Sequence, residues 1–568
     1  MLPIIRCGVF ITLAAAALSA QTFGELSGTV TDRSQAGIGA ARIRVTNQAS
    51  GLLRQVETSG AGVYRVGFLT PGRYEVTVES DGFKKATRRD VDVQIDVVAR
   101  LDFALEIGQV TETVEVNEQI PMVNSENAAV GTVIDNKRIV ELPLNGRNFL
   151  QMVALSPNVS AEMRASGHVD SRQGGERGRQ SISIAGQRQF FNRFTLDGVE
   201  NTDVNYNTYV IRPSIEALQE FKIQTGIYSA EFGRATSQIN ATTKSGGNAF
   251  HGALFHFLRN DKLDAAEWQQ RDGKNPFRRN QYGFVGSGRV IRDRLFFLSN
   301  FEGQRDTRTL QGLANVAPSA WRQGNFSGQP TVIFDPNSRT FNDAGRALTA
   351  LPFPGNRIPT DRLNSVARRL LEFYPEATVP GENIVANFVR QRKRPLNSDQ
   401  FTQRFDFQES SRSSWFGRFS LAEDFERRLE SFEVQEGGVD VKVFQTMISN
   451  TRTLSPTVLN ETRFGYNRFD NDLILHFANR RDVTQELGIR GLVSPPANAW
   501  GTPAIQLGGG LTGFGESGNG PWIYRNRTMQ FLNNTSVVRG KHTLRFGGEM
   551  RRDIYAAEGN TVARGRLY

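Results

Sequence analysis

The chain has 568 residues, a hydrophobic content of 38% and a mean hydropathy of −0.40. It is long enough for about three or four domains and too polar for a helical membrane protein. Its formal net charge is +10, but the basic residues are scattered and no nucleic-acid motif occurs, so we expect no nucleic-acid partner. A membrane β-barrel and a large soluble all-β protein both remain compatible with this composition.

Residues 1–20 have the pattern of a secretory signal peptide. Arg6 supplies the positive charge, the apolar run Gly8–Leu18 is too short to span a bilayer, and small residues up to Ala20 form a cleavage site. The single cysteine of the chain, Cys7, lies inside this segment, so we expect a mature protein without disulfides. An N-terminal membrane anchor is the alternative.

Residues 23–107 are predicted to form a small β-sandwich. Several segments alternate with a period of about two residues between turn signals such as Pro71-Gly72. The stretches Gly28-Thr-Val-Thr-Asp and Leu69-Thr-Pro-Gly-Arg-Tyr resemble the carboxypeptidase-regulatory-like domain, a sandwich related to carbohydrate-binding-like folds. No pair of His or Glu residues here has zinc-ligand spacing, and we interpret the domain as a spacer; sugar binding is the alternative.

Residues 108–130 are predicted to be a linker with a short Val/Thr-rich core. An extended segment with a free edge can add as a strand to a partner's sheet and gain main-chain hydrogen bonds. The core resembles a TonB box, which TonB-dependent receptors present to their energy-transducing partner; a plain linker strand is the alternative. The candidate residues are Thr111, Glu112, Thr113, Val114, Glu115 and Val116.

Residues 131–246 are predicted to form an α+β domain. Helical spacing begins at Ile134, a second short helix is expected over 149–155, and short alternating strands follow. Asp197-Gly198 predicts a tight turn, which explains Asp197 better than a carboxylate pair with Glu200 does. The motif Glu141-Leu-Pro-Leu-Asn-Gly-Arg-Asn-Phe closely resembles the plug of Oar-like TonB-dependent outer-membrane transporters.

Residues 247–568 are predicted to form part of an antiparallel membrane β-barrel. In the last strand Leu544 and Phe546 share one face while Thr543 and Arg545 share the other. Very short turns alternate with very long ones, as in a barrel with short periplasmic turns and long extracellular loops. One amphipathic helix is expected over 363–373. About nine strands are predicted, within 247–261, 281–291, 295–304, 401–408, 415–424, 444–454, 459–469, 529–538 and 542–551.

The number of predicted strands is too small for a plugged barrel. Receptors of this family have about 22 strands, and a barrel of about eight is filled by its own side chains. An open sheet would leave unpaired edges, which lipid does not tolerate. We therefore expect the chain to be a fragment or a truncated product that makes no sealed pore alone. A stable, heat-modifiable monomer with an ordered plug would contradict this expectation.

The predicted fold class is mainly β: a signal peptide, a small sandwich, an α+β plug domain and a partial barrel. The resemblance implies a receptor in a Gram-negative outer membrane, with the sandwich in the periplasm. Its implied partners are the TonB complex, outer-membrane lipid and an unidentified large extracellular ligand, such as an oligosaccharide or a peptide. A non-transporting adhesion or assembly protein, or a secreted carbohydrate-binding protein, is the alternative.

Sequence signals of enzyme chemistry are absent. The five histidines form neither an HExxH motif nor a His/Cys cluster. No Gly-x-Ser-x-Gly elbow or phosphate-binding loop occurs. We therefore expect no catalytic residues, no cofactor and no metal site.

Overall fold

The computed structural model describes residues 23–108, 113–115, 130–162, 173, 181–226, 235, 237–266, 268, 274–381, 383–516, 520–560 and 562–568. Strands dominate this part of the chain and the helices are short, so the predicted mainly-β fold class is confirmed. Three β-structures account for most of the residues, and they follow one another along the chain.

The first structure, which we call the sandwich, has two facing sheets. Its strands are β1 (Gly24–Thr31), β2 (Arg42–Asn47), β3 (Leu53–Glu57), β4 (Val63–Leu69), β5 (Gly72–Glu79), β6 (Lys85–Val93), β7 (Val98–Arg100), β8 (Phe103–Ala104) and β9 (Thr113–Glu115). One sheet has the order β4-β1-β7, with β8 also paired to β1, and the other has the order β3-β2-β5-β6-β9. Alternate residues such as Val45 and Val76 are fully buried, so the two inner faces form one apolar core.

The second structure, which we call the plug, consists of the described residues between Gly131 and Thr243. Its strands are β10 (Gly131–Asp135), β11 (Val159–Glu162), β12 (Ser181–Ile184), β13 (Asn192–Leu196), β14 (Val199–Glu200), β15 (Leu218–Gln224) and β16 (Ser237–Thr243). Five of them form a mixed sheet with the order β10-β15-β16-β13-β14, while β11 pairs with β12. Apolar residues of this sheet, Phe221 and Ile223 among them, form a buried core.

The helical prediction for the start of the plug is wrong in its first residues. Gly131–Asp135 is a strand because it pairs antiparallel with β15, and this pairing overrides the local helical spacing. Helix α1 (Asn136–Glu141) begins only after Asp135, whose carboxylate accepts a hydrogen bond from the backbone of Arg138. The second predicted helix is a 3₁₀ helix, Phe149–Leu155.

The third structure is an antiparallel nine-stranded sheet, which we call the wall. The remaining elements, in chain order, are β17 (His251–Asn260), β18 (Phe277–Ile291), β19 (Leu295–Ala314), α2 (Ser319–Arg322), β20 (Thr340–Phe341), β21 (Ala347–Thr349), α3 (Ser365–Leu371), β22 (Phe388–Ser410), β23 (Ser413–Arg428), β24 (Gly437–Ser455), β25 (Val458–Leu475), α4 (Val483–Leu487), β26 (Ala504–Ile505), β27 (Trp522–Arg539), β28 (His542–Gly559) and β29 (Arg566–Leu567). The wall has the order β17-β18-β19-β22-β23-β24-β25-β27-β28, and in the described part of the chain its outer strands β17 and β28 do not pair with each other.

The nine predicted wall strands are all present, and most are longer than predicted. Strand β22 has 23 residues and β19 has 20. The two strands stay paired as far as Ala314 and Phe388, which is the end of the wall where the long loops begin. At this end the long loops 315–387, 429–436 and 476–521 pack on one another through an apolar cluster that includes Tyr374 and Phe514. The amphipathic helix within them is shorter than predicted, because Asn364 caps its start and it ends at Leu371.

The two faces of the wall differ in chemistry, as the alternation predicted. One row of residues in register across five strands is apolar and partly or fully exposed on the outer side: Phe284, Phe301, Phe401, Leu421 and Phe444. The adjacent row is polar and buried on the inner side: Asn300, Thr402, Ser420, Gln445, Asn467 and Thr528. An apolar outer face and a polar inner face are the pattern of a membrane barrel strand.

Toward the long loops, the outer face of the wall changes from apolar to charged. Arg305 pairs with Asp399 at 2.7 Å, and Lys442 pairs with Glu423 at 3.2 Å. Further along the wall, Arg527 pairs with Asp470 at 2.6 Å. Because ion pairs are stable in water and costly in hydrocarbon, this band marks the loop-side limit of the apolar zone.

The outer face yields a prediction about lipid exposure. Phe405→Arg places a charge inside the apolar zone and should lower the free energy of unfolding by about 2–4 kcal/mol. Gln391→Arg, on the same face of β22 but beyond the charged band, should change it by less than about 0.5 kcal/mol. Denaturant unfolding in lipid vesicles measures both variants. Equal effects of the two arginines would contradict the assignment of the outer face.

Candidate functional site

The turn predicted at Asp197 and Gly198 joins β13 to β14. Leu196 pairs with Val199, and both turn residues have a left-handed backbone, with φ of 51° at Asp197 and 76° at Gly198. Two residues with positive φ make the hairpin turn whose twist suits flanking strands, which explains the Asp-Gly dipeptide. Asp197 is only 1% exposed, so this turn lies inside the protein rather than at its surface.

The carboxylate of Asp197 connects the plug to the wall. Within the plug it accepts hydrogen bonds from the backbone N–H of Thr243, at 2.9 Å, and from the Thr243 hydroxyl. From the wall, Nε of Arg418 donates to it at 2.7 Å, and Nη1 of Arg404 lies 3.5 Å away. Both arginine side chains are buried.

The wall itself explains why this carboxylate is needed. Arg404 on β22 and Arg418 on β23 are direct partners in the strand register and both face inward. Like charges opposite each other destabilise a sheet, and a buried charge without a counter-charge is costly. Asp406 neutralises Arg404 from the wall side at 2.7 Å, and the plug supplies the second carboxylate through Asp197.

Glu200, at the end of the same hairpin, makes a second set of contacts. Its carboxylate accepts from Nε of Arg193 in the plug, at 2.9 Å, and from Nη1 of Arg551 in the wall, at 2.6 Å. Its backbone N–H donates to Gln530, and its backbone carbonyl accepts from Gln445. The β13–β14 hairpin therefore contacts wall strands from β22 to β28.

The Leu-Asn-Gly-Arg part of the plug motif contacts the opposite edge of the wall. Gly146 and Arg147 have positive φ, and this backbone directs the Gly146 carbonyl toward the side-chain amide of Gln281 at 3.1 Å. The Arg147 guanidinium lies 4.5 Å from the Phe255 ring centroid and 4.6 Å from that of Phe257, at cation–π distance. Nearby, the Ser214 hydroxyl donates to the wall residue Glu302 at 2.6 Å.

Two cavities border the plug, one near each outer strand of the wall. One of about 610 Å³ lies beside the motif loop and includes Arg147, Phe257 and Arg259. The other, of about 590 Å³, includes Phe190 and Arg551. Both cavities are lined by polar and apolar residues. In the described residues, no group of three or more His, Cys, Asp or Glu could hold a metal ion.

The plug also contacts the sandwich through buried ionisable and polar groups. Nζ of Lys222 donates to the Asp96 carboxylate at 3.1 Å and to its backbone carbonyl at 2.6 Å. Gln224 also donates to Asp96, and the backbone N–H of Ile95 donates to Glu220. Burial raises the pKa of Asp96, and it raises the pKa of Glu220 to about 8.

Part of the candidate TonB box is a strand in this structure. Thr111, Glu112 and Val116 lie outside the described residues. Thr113, Val114 and Glu115 form β9, which pairs parallel with Lys85–Thr87 of β6. The segment therefore extends the sandwich sheet, whereas the sequence suggested an unattached linker.

Sequence reasoning missed the residues that bind the plug to the wall. Alternation within the predicted strands places Arg404 on the face opposite Phe401 and Phe405, so its inward direction was available from the sequence. The register that sets Arg404 opposite Arg418 was not, because it depends on the turn between two strands.

Two known families match this sequence, each over a different part of it. The sequence matches the family "Outer membrane beta barrel domain" over residues 242–568 and the "Carboxypeptidase regulatory-like domain" over residues 25–106. It is 28% identical over 308 residues to the TonB-dependent transporter Oar of Myxococcus xanthus, covering 50% of this chain and 27% of that protein. Similar solved structures include the outer membrane transporter YddB of Escherichia coli (11% identity, TM-score 0.47) and the siderophore receptor PirA of Acinetobacter baumannii (12% identity, TM-score 0.42). Each covers 75% of this chain and 48% of the other.

The chain therefore belongs to the outer-membrane β-barrel family, and it carries a carboxypeptidase-regulatory-like domain ahead of the wall. It is a homologue of a TonB-dependent transporter and localises to the outer membrane. It spans about a quarter of the length of that relative and about half the length of the solved receptors. None of the helices in the described ranges has the length and apolar character needed to cross a membrane.

A first prediction concerns the charge of Asp197. Asn tolerates positive φ, so Asp197→Asn should keep the turn. The substitution removes the carboxylate that pairs with Arg418 and leaves a buried positive charge. It should therefore lower the free energy of unfolding by about 3–5 kcal/mol. Asp293→Asn is the matched control, because Asp293 also has positive φ but lies in an exposed turn. Denaturant unfolding measures both. A similar loss of unfolding free energy in the two variants would show that the buried contact of Asp197 with Arg418 stabilises the protein no more than an exposed turn carboxylate does.

A second prediction concerns pH. The folded-state pKa of Glu220, about 8, lies above its unfolded value of 4.5. The protonated form is therefore favoured in the folded state, and its stabilisation is complete below pH 4.5 and is lost as the pH rises to about 8. The melting temperature should fall over this window, and Glu220→Gln should flatten the fall. Part of the slope should remain, because the pKa shift of Asp96 has the same sign.

The control for the pH prediction is Glu75→Gln, on β5 of the sandwich, where the carboxylate is partly exposed and pairs with Arg89. This variant should keep the wild-type pH dependence. A slope that is unchanged in Glu220→Gln would exclude Glu220 as its source.

Proposed function

We propose that the chain functions in a TonB-dependent outer-membrane transporter for a large organic ligand. The observation that carries this proposal is the buried contact between Asp197 of the plug and Arg404 and Arg418 of the wall. It supports a plug that is held against the inner face by polar contacts, in a protein whose outer face is apolar.

The chemistry of the contact suits a plug that has to move. Hydrogen bonds and ion pairs at the plug–wall boundary can exchange for bonds to water once the boundary is wetted, so their net contribution to stability is modest. The boundary also has an apolar part, where Val441, Val443 and Phe469 of the wall pack with the plug core, and exposure of this part to water would oppose opening. The polar inner row of the wall, from Asn300 to Thr528, is suited to lining the water-filled space that a displaced plug would leave.

The ligand is proposed to bind at the end of the wall that carries the long loops. These loops have their own apolar cluster, so they form an ordered structure beyond the charged band. An oligosaccharide or a peptide remains the proposed ligand class. The sandwich lies at the opposite end, beside the short turns, which supports a periplasmic position for it.

The energy is proposed to come from the TonB complex, which would bind the segment from Thr111 to Val116 as an added strand. Such coupling requires no nucleotide site and no catalytic residue in this chain. An adhesion or assembly protein that does not transport would need no such partner.

The proposal predicts a backbone requirement at Val114. Val114→Pro removes a main-chain N–H and disfavours strand addition, so it should weaken binding of the periplasmic domain of TonB by about tenfold or more. Val114→Thr, which keeps the N–H and a strand-compatible side chain, should bind like wild type. The measurement is the affinity of the purified chain in detergent for that domain. Equal affinity of the wild type, of Val114→Pro and of a chain lacking 111–116 would reject this segment as the TonB box.

A further inference from the structure

Backbone and side-chain bonds join the sandwich to the short turns of the wall. The N–H of Glu57 donates to the carbonyl of Pro456 at 3.0 Å, and the Ser59 hydroxyl donates to the carbonyl of Gly540 at 2.7 Å. Both acceptors lie in turns between neighbouring wall strands. The sandwich therefore contacts the wall at its short-turn end.

An apolar contact extends from the sandwich onto the inner face of the wall. The Phe23 ring meets the Phe416 ring edge to face at 6.0 Å, and the Arg463 guanidinium lies 5.1 Å from the centroid of Phe23. Met447 and Leu459 of the wall belong to the same buried cluster as the sandwich core. The sandwich thus occupies the space in front of the inner face and is not attached only at the rim.

Charged groups of the sandwich are buried in this position. Glu25 is 2% exposed, and it accepts from Nε of Arg65 at 2.6 Å and lies 3.2 Å from Nη1 of the wall residue Arg545. Asp96 is paired with Lys222 of the plug, and both are buried. A domain that acted only as a spacer would keep such charges in water, because burying them is costly unless a partner compensates them.

From these contacts we propose that the sandwich is a second closure of the transport route, seated against the short-turn end of the wall and displaced before the plug can open. This inference rests on the proposed function. It gives the regulatory-like domain a role as a gate in place of the spacer role that the sequence suggested.

The pairing of β9 with β6 gives the gate a mechanical connection to the energy source. Thr113 to Glu115, within the candidate TonB box, are hydrogen-bonded to the sandwich sheet. A force applied to this strand would therefore act on the sandwich first and reach the plug afterwards, through the contact of Asp96 with Lys222.

The test uses two cysteine reporters, one for each closure. Ser59→Cys reports the sandwich–wall contact, and Ser214→Cys reports the plug–wall contact; both serines are buried, and Cys7 lies in the predicted signal peptide. Each variant of the full chain is expressed in cells with an active TonB complex, and a small maleimide is added with and without a protonophore. Ser34→Cys, on an exposed turn of the sandwich, serves as the control for reagent access.

The gate predicts that energisation increases the labelling rate of both reporters, on the order of tenfold, because a buried thiol reacts only when its contact opens. Labelling of Ser214→Cys without labelling of Ser59→Cys would overturn the gate and leave the proposed transport function intact. Labelling of neither would contradict both proposals. Labelling of Ser59→Cys that the protonophore does not reduce would show a contact that opens without energy, and would also overturn the gate.

A cross-link tests whether the sandwich has to leave first. Glu57→Cys with Pro456→Cys places two thiols at a backbone hydrogen bond between the sandwich and the wall. Oxidation of this pair should prevent energised labelling of Ser214→Cys, and reduction should restore it. The control pair, Arg44→Cys with Gln55→Cys, joins neighbouring strands inside the sandwich and should leave the labelling unchanged. Normal labelling of Ser214→Cys with the first pair oxidised would overturn the proposed order.

Discussion

Arg404 and Arg418 face each other across two neighbouring strands of the wall, in a position that water does not reach. In the part of the chain that the structure describes, Asp406 is the wall carboxylate that pairs with Arg404, and the carboxylate that pairs with Arg418 comes from the plug. The plug provides it at the tip of a two-residue turn, where Asp197 and Gly198 adopt the left-handed conformation that places the carboxylate between the two arginines. This charge balance holds the plug hairpin against the inner face of strands β22 and β23.

The same chemistry recurs at the other junctions of the molecule. Asp96 and Lys222 join the sandwich to the plug, Glu25 and Arg545 join the sandwich to the wall, and Glu200 and Arg551 join the plug to the last wall strand. The apolar cores of the sandwich and of the plug both extend to wall residues, such as Met447 and Val441, and charged and hydrogen-bonding groups accompany these contacts where two structures meet. The ionic part of these junctions can exchange for hydrogen bonds to water, which the proposed movement of the sandwich and the plug would require.

The sequence predicted the fold to a large extent because period-two alternation is a strong signal in this chain. All nine wall strands and the two-sheet sandwich were expected, and the Asp197-Gly198 turn was expected from its dipeptide. Features set by pairing between distant segments were not available. Gly131–Asp135 is a strand because β15 lies beside it, and the direct pairing of Arg404 with Arg418 depends on strand register. The seating of the sandwich could not be inferred, because Glu25 and Asp96 look like ordinary surface residues until their partners are known.

We infer that the plug hairpin and the wall strands β22 and β23 form one electrostatic unit. Hydrogen–deuterium exchange of the intact chain tests it most directly, by comparing amides of 192–200 with amides of 401–420 in the wild type and in Asp197→Asn. Both sets should be equally protected in the wild type and should lose protection together in the variant. A hairpin that exchanges freely in the wild type while the wall stays protected would contradict it.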